Sequence, residues 1–250
     1  MEKIQKILIY LIISAAVFAQ TDYILKSKHL VVVVSENWED INAKMYLFDK
    51  VDGDWIKKID NIDIVFGHKG LAWGRGLLSD EYIKGKIKKE GDSCAPAGIF
   101  KIYRAFGYLP KDSLKLKIDY FTSDTTTFCI DDPNSQFYNM LVDVDTIKQI
   151  DWKRKERLKL KSDAYKYCIV VEHNTENIVK YGGSCIFIHL WIKDKKNPER
   201  YEPTMGCTSL SEDAALELLQ SLDSKLNPIL IQVPKKEYEI LRKKYNFPNI

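Results

Sequence analysis

Apolar residues in this chain come in short runs separated by turn-forming residues, and that punctuation constrains the fold more than any other feature. Leu30-Val31-Val32-Val33-Val34 is a β-branched run, and side chains branched at Cβ are stiff at χ1 and favour a pleated strand. Residues 43–49 set Met45 and Leu47 against Lys44, Tyr46 and Phe48, and Asp52-Gly53-Asp54 provides the turn into a strand at 55–60. Further strands are expected at 64–66, 98–105, 165–172, 184–190 and 229–233, with Tyr165, Tyr167, Ile169 and Val171 on one face of the run at 165–172. The glycine-punctuated stretch 67–76 predicts tight turns between strands, with lining of a cleft as the second reading.

Helix signatures are fewer. Ser211 suits an N-cap, Glu212 and Asp213 suit a first turn, and Ala215, Leu218, Leu219 and Leu222 follow at helical spacing. Residues 235–245 repeat the pattern with Tyr238, Leu241 and Tyr245. The charged run 152–161 reads as a solvated helix face. Repeats and linkers are absent from the sequence, so residues 20–250 are expected to form one domain.

Composition narrows the function classes. With 250 residues, 45% hydrophobic and 29% charged, the chain can bury a sizeable core and is not broadly disordered. Lys and Arg number 38 against 35 Asp and Glu, too even a balance for a nucleic-acid binder. Lys3 and Lys6 precede an uncharged apolar run at 7–18, and Val17 and Ala19 are small residues at peptidase-compatible positions. Residues 1–19 therefore read as a signal peptide cleaved before Gln20, giving an exported protein with no stable membrane insertion afterwards. Five cysteines (Cys94, Cys129, Cys168, Cys185, Cys207) leave at least one thiol free or paired between molecules. The other four cysteines allow three pairings that the sequence does not choose between. Closely spaced ligand pairs of the zinc type do not occur in the sequence, so no zinc site is expected.

The chemistry points to the segment between His189 and Cys207. His189 ends an apolar strand, where a rigid element holds a base in place. Cys207 follows Gly206 shortly before the helix capped by Ser211, a setting that frees backbone N–H groups for an oxyanion and favours loss of the thiol proton near neutral pH.

His189, fourteen residues, then Thr204-Met205-Gly206-Cys207 resembles the active-site signature of YkuD-type L,D-transpeptidases. Lys89-Glu90-Gly91-Asp92 with Pro96-Ala97-Gly98-Ile99-Phe100 is similar to the family's strand-entering element. Cys129-Ile130-Asp131-Asp132-Pro133, Tyr138-Asn139 and Gly183-Ser184-Cys185-Ile186-Phe187-Ile188-His189 resemble an exported branch of it. The resemblance covers residues 65–222. There are departures: Met205 replaces the family's usual His, Ser209 its Arg or Asn, and Ala95 a frequent Thr.

The resemblance implies an α+β domain, mostly β, built on a twisted mixed β-sandwich with a few short peripheral helices. It implies an exported bacterial enzyme of the periplasm or cell envelope that acts on peptidoglycan stem peptides and needs no metal or other cofactor. Cys207 is then the nucleophile, His189 the general base and acid, and the N–H groups of Gly206, Cys207 and Thr208 the oxyanion hole. Thr204, Met205, Ser209, Asp132 and Trp191 are weaker substrate-binding candidates. Thr204 and the backbone of 182–184 are candidates for orienting His189. For Asp131 and Asp132, turn chemistry before Pro133 is the stronger reading. Tyr181, Trp191 and Tyr201 flank the His-to-Cys segment, and the charged residues 191–203 are expected to loop over the site and favour an amine acceptor over water. The alternatives are an L,D-carboxypeptidase or endopeptidase, a non-catalytic peptidoglycan-binding domain, or a disulfide-stabilised secreted binding module.

Overall fold

The computed structural model describes residues 20–250; the expected signal peptide lies outside the described residues. Its strands form an eleven-stranded mixed sheet and a small three-stranded sheet, with a few short helices outside, an α+β architecture dominated by β structure. The strands are β1 (His29–Ser35), β2 (Asn42–Val51), β3 (Asp54–Val65), β4 (Leu71–Trp73), β5 (Ala95–Lys101), β6 (Arg104–Gly107), β7 (Asp119–Thr122), β8 (Thr127–Cys129), β9 (Leu141–Asp143), β10 (Glu156–Arg157), β11 (Tyr167–Val170), β12 (Phe187–Leu190), β13 (Thr208–Leu210) and β14 (Ile229–Pro234). The large sheet runs β4-β5-β14-β1-β2-β3-β13-β12-β11-β6-β7, and the small one β10-β8-β9.

The valine run forms β1, buried along its whole length. It lies between antiparallel β2 and parallel β14, so its unbroken apolar sequence reflects a strand covered on both faces. Asp52-Gly53 closes the β2–β3 hairpin as a two-residue loop, since Val51 pairs with Asp54. The runs expected at 55–60 and 64–66 are one strand. Asn61, at φ +60°, sits where the β2–β3 register shifts, and the polar residue in the bulge hides the continuity.

Two expectations are corrected. The run 98–105 is not one strand: it breaks at Ile102-Tyr103, and β5 and β6 belong to distant parts of the sheet. The apolar sequence continues across the crossover because both strands enter the core. The charged run 152–161 is not helical. It is extended, β10 pairs with β8, and Trp152 and Leu158 are buried. Its apolar residues fall at intervals of six and two, which no helix places on one face.

Of the helices, α1 (Lys111–Leu114) is a single turn, α2 is Glu212–Ser221 and α3 is Lys235–Tyr245. Ser211 caps α2 by accepting the Ala214 N–H at 3.3 Å. Ala215, Leu218 and Leu219 are buried as expected, and α2 packs on β11 and β12, the strand that carries His189. Helix α3 buries Tyr238, Leu241 and Tyr245 and packs on β14 and β1. No helix among the described residues is long and apolar enough to cross a membrane.

Candidate active site

Strands β12 and β13 are parallel neighbours with Ile188 opposite Thr208 and His189 opposite Ser209. Cys207 immediately precedes β13, which puts it across from Phe187. The Phe187 N–H donates to the Cys207 Sγ at 3.4 Å, and the thiol faces the Cys185 carbonyl at 3.7 Å. Side chains alternate along a strand, so His189 shares a face with Phe187 and lies diagonally across from Cys207. Both residues line one cleft of about 1050 Å³.

The imidazole is held by its own strand. Nδ1–H donates to the Leu190 carbonyl at 2.8 Å, which leaves Nε2 as the bare, proton-accepting nitrogen. Tyr165 packs edge-on against the ring at 5.3 Å and its hydroxyl hydrogen-bonds Glu156, which also lines the cleft. The expected orienting groups have other partners. Thr204 bonds within the 204–207 turn, and the Gly182 carbonyl accepts from His173 Nε2 at 3.0 Å. A carbonyl one residue along the same strand leaves no mark in the sequence, because every residue carries one.

Burial governs the protonation of the pair. It pushes the Cys207 thiol up to about 12, with the Glu156 carboxylate adding to the shift and the Phe187 N–H and the Lys88 ammonium opposing it. It pushes His189 down to about 4 against the opposing Leu190 carbonyl. The resting pair is therefore a neutral thiol and a neutral imidazole. This corrects the expectation of a thiol that ionises near neutral pH: β13 stands between Cys207 and helix α2, and the thiol is desolvated and faces a carboxylate. Glu156 is itself raised to about 7, by burial first and then by Asp131 and Glu90.

The 204–207 turn is braced at both ends. Thr204 Oγ1 donates to the Cys207 carbonyl at 2.6 Å and accepts the Gly206 N–H at 3.1 Å. Thr204 also bonds the 66–68 segment through its backbone, its N–H to the Phe66 carbonyl and its carbonyl to the His68 N–H. The glycine-rich stretch thus supports the site, and His68 lines the cleft.

The other predicted site residues separate into two groups. Thr204, Gly206, Asp132 and Met205 line the cleft, Met205 as an exposed rim residue at 72%. Asp132 also does the turn chemistry expected of it. Its carboxylate accepts the Lys153 and Asn134 N–H groups, and the first of these contributes most to holding it below the usual carboxylate range. Three candidates lie away from the cleft lining. Ser209 is fully buried and donates to the Val65 carbonyl at 3.2 Å. Thr208 is buried and donates to Gln232 Oε1 at 2.7 Å. Trp191 donates its indole N–H to the Ser209 carbonyl at 2.9 Å and stacks on Tyr201 at 3.9 Å. Side chains alternate along a strand, which turns the Thr208 hydroxyl away from the Cys207 face; Ser209 lies on the Cys207 face, but its hydroxyl is held by the Val65 carbonyl. The Gly206 N–H, assigned to the oxyanion, is occupied by Thr204.

Sequence reasoning misses Lys88, Glu90, Glu156 and Tyr165, all cleft-lining. The cysteines resolve to one disulfide, Cys129–Cys185, with Cys94, Cys168 and Cys207 free and buried. That disulfide joins the end of β8 to the residue two before β12. Asn139, from the Tyr138-Asn139 motif, accepts the Cys185 N–H through Oδ1 and donates to the His173 and Asn174 carbonyls.

No family model matches the chain, and no curated protein matches it. Among solved structures it is similar to the helical cell shape determining protein Pgp2 from Campylobacter jejuni, at 14% identity with a TM-score of 0.37. The match covers 85% of this chain and 54% of that chain, so this chain spans about half of that protein's length. A likeness at this level defines neither family nor activity.

Proposed function

We propose that this protein is an exported, cysteine-dependent acyltransferase of the bacterial cell envelope, an L,D-transpeptidase acting on peptidoglycan stem peptides. One observation carries the reading: His189 on β12 and Cys207 immediately before the adjoining parallel β13 line a single cleft, with the Nε2 of His189 bare. At about 1050 Å³ the cleft is roomy enough for a short peptide, and it carries charged groups of both signs.

In the proposed cycle the Cys207 Sγ attacks a stem-peptide carbonyl next to a terminal D-amino acid. The S–C bond forms, the carbonyl π electrons move to oxygen, and the thiol proton passes to His189 Nε2. Collapse of the tetrahedral intermediate breaks the C–N bond as the imidazolium returns the proton to the leaving amine. A second amine then attacks the thioester carbonyl and gives its proton to His189 Nε2. The new C–N bond forms, the C–S bond breaks, and the imidazolium returns that proton to the departing sulfur, regenerating the thiol. Because the resting pair is neutral, transfer of the proton belongs to the attack itself, and His189 acts as a general base.

Hydrolysis is the second reading, favoured by one observation. The aromatic pair Trp191 and Tyr201 stacks outside the cleft, and from 191–203 only Ile192, Glu202 and Pro203 border it. The expected shield against water is therefore thin, and water resolving the thioester gives a carboxypeptidase. The test is a tetrapeptide-stem donor incubated with and without excess D-amino acid, read by product mass. Exchange or crosslinked product supports transfer, and tripeptide unchanged by added amine supports hydrolysis. His189→Ala should lower acylation by ~10²–10⁴ while leaving the fold intact; near-normal acylation by the folded variant removes His189 from the mechanism.

A further inference from the structure

Lys88 stands at the 204–207 turn, one residue before the Lys89-Glu90-Gly91-Asp92 element. It is 3% exposed and lines the cleft. Its position depends on two glycines. A Cβ on Gly183 would meet its Cγ and Cε at 3.1 and 3.2 Å, and a Cβ on Gly206 would meet its Nζ at 3.4 Å. The stem therefore runs along Gly183, and the ammonium rests beside the residue that precedes the nucleophile. Both glycines have left-handed φ, +94° and +143°, where a side chain adds strain as well as bulk.

The ammonium is only partly satisfied. Nζ donates to Asp92 Oδ1 at 2.6 Å and to the Lys89 carbonyl at 3.3 Å. An ammonium has three donors, and the third has no partner among the described residues. Asp92 is fixed in turn by the Lys89 and Cys94 N–H groups at 2.8 and 3.0 Å. The 88–94 turn thus holds a cation firmly against the 204–207 turn. Of the three backbone donors expected to meet an oxyanion there, the Gly206 N–H is already bound by Thr204 Oγ1, and the ammonium stands beside Gly206, and so near the Cys207 N–H, as a further, charged donor.

We propose that Lys88 is a catalytic residue whose free N–H receives the negative oxygen that develops when Cys207 attacks a carbonyl. This rests on the acyl-transfer reading for the identity of the reaction, but the presence of a cation beside Gly206 in the cleft does not. As the S–C bond forms and the thiol proton moves to His189, the carbonyl electron pair settles on an oxygen beside the ammonium. When the C–N bond breaks, the carbonyl re-forms and the Lys88 proton stays on Nζ throughout. A preformed charge-assisted donor in a desolvated site acts most strongly on the transition state.

The experiment alkylates Cys207 with iodoacetate and with iodoacetamide at pH 9, scored at that residue by peptide mass. Iodoacetate carries its carboxylate on the carbon that Sγ attacks, close to where an oxyanion would stand, and iodoacetamide is neutral. Expressed relative to the same ratio for the neutral thiol N-acetylcysteine amide, the iodoacetate preference of wild-type Cys207 should exceed one despite Glu90, Asp131 and Glu156 in the cleft. Lys88→Met should reduce that preference by about tenfold or more, and Lys88→Arg should retain most of it. Lys88→Met combined with Asp92→Asn gives the same reading without a stranded carboxylate. A wild-type preference at or below that of the free thiol overturns the proposal, as does a folded Lys88→Met with an unchanged preference. Failure of the stem-peptide assay alone refutes only the acyl-transfer reading, because the alkylation ratio is measured without that substrate.

Discussion

Replacing both Cys129 and Cys185 by Ser tests how the two sheets are tied together. The bond closes a loop across a sequence separation of 56. In the chain-entropy treatment, a loop of that length restricts the unfolded chain by about 14 cal/mol/K, or about 4 kcal/mol at 25 °C. Cys185 also sits at φ +55°, a conformation costing a non-glycine residue roughly 1–2 kcal/mol. Without the cross-link that residue can relax, which recovers part of the loss but moves the carbonyl facing the Cys207 thiol. The double variant should therefore lose about 3–4 kcal/mol in urea unfolding. It should also alkylate at Cys207 faster than wild type, because the loosened 185–187 segment lets water reach the thiol. The assay pairs denaturation midpoints with peptide-level alkylation rates. An unfolding free energy within about 0.5 kcal/mol of wild type, together with an unchanged Cys207 rate, would refute the view that this bond holds the site's geometry.

Because burial raises the Cys207 thiol to about 12, its alkylation rate should keep rising with pH through 10, where a free cysteine has already levelled off; a plateau near pH 7 contradicts the assignment of a desolvated thiol. His173 is fully buried and held at about 3 by burial and then the Lys88 charge, and His189 at about 4 by burial. Their unfolded forms take up protons below about pH 6.5, so stability is full above that pH and falls by several kcal/mol as pH drops toward 4; flat urea midpoints across that window would disprove it. Ser211→Ala removes the α2 cap and should cost about 1 kcal/mol without changing alkylation at Cys207.

The legible parts of the fold are those where local pattern and tertiary environment agree. The valine run could only be a strand, and Ser211 with the Ala215, Leu218 and Leu219 stripe could only begin and face a helix. The candidate pair Cys207 and His189 is legible because its spacing resembles a known signature, and because His189 ends a short apolar strand while Cys207 follows a glycine shortly before a capped helix. The errors have physical causes. Ile102-Tyr103 carries the chain between distant strands without a change in hydrophobicity, so the crossover leaves no trace. Lys153, Arg154 and Lys155 mask Trp152 and Leu158 as core residues. Ser209 and Trp191 are candidates only by position relative to Cys207 and His189, but Val65 seals Ser209 and Trp191 turns onto Tyr201. Lys88 and Glu156 reach the cleft from segments far from the signature in sequence, and only tertiary packing brings them there.

Whether Cys207 carries the acyl group is decided by intact-protein and peptide mass after brief reaction with a tetrapeptide-stem donor, quenched in acid. The expected mass increase matches the donor less its terminal D-amino acid, is confined to the peptide containing Cys207, and is absent from Cys207→Ala. An adduct on another residue, or turnover of the donor by a folded Cys207→Ala variant, would show that the thiol of Cys207 is not the nucleophile.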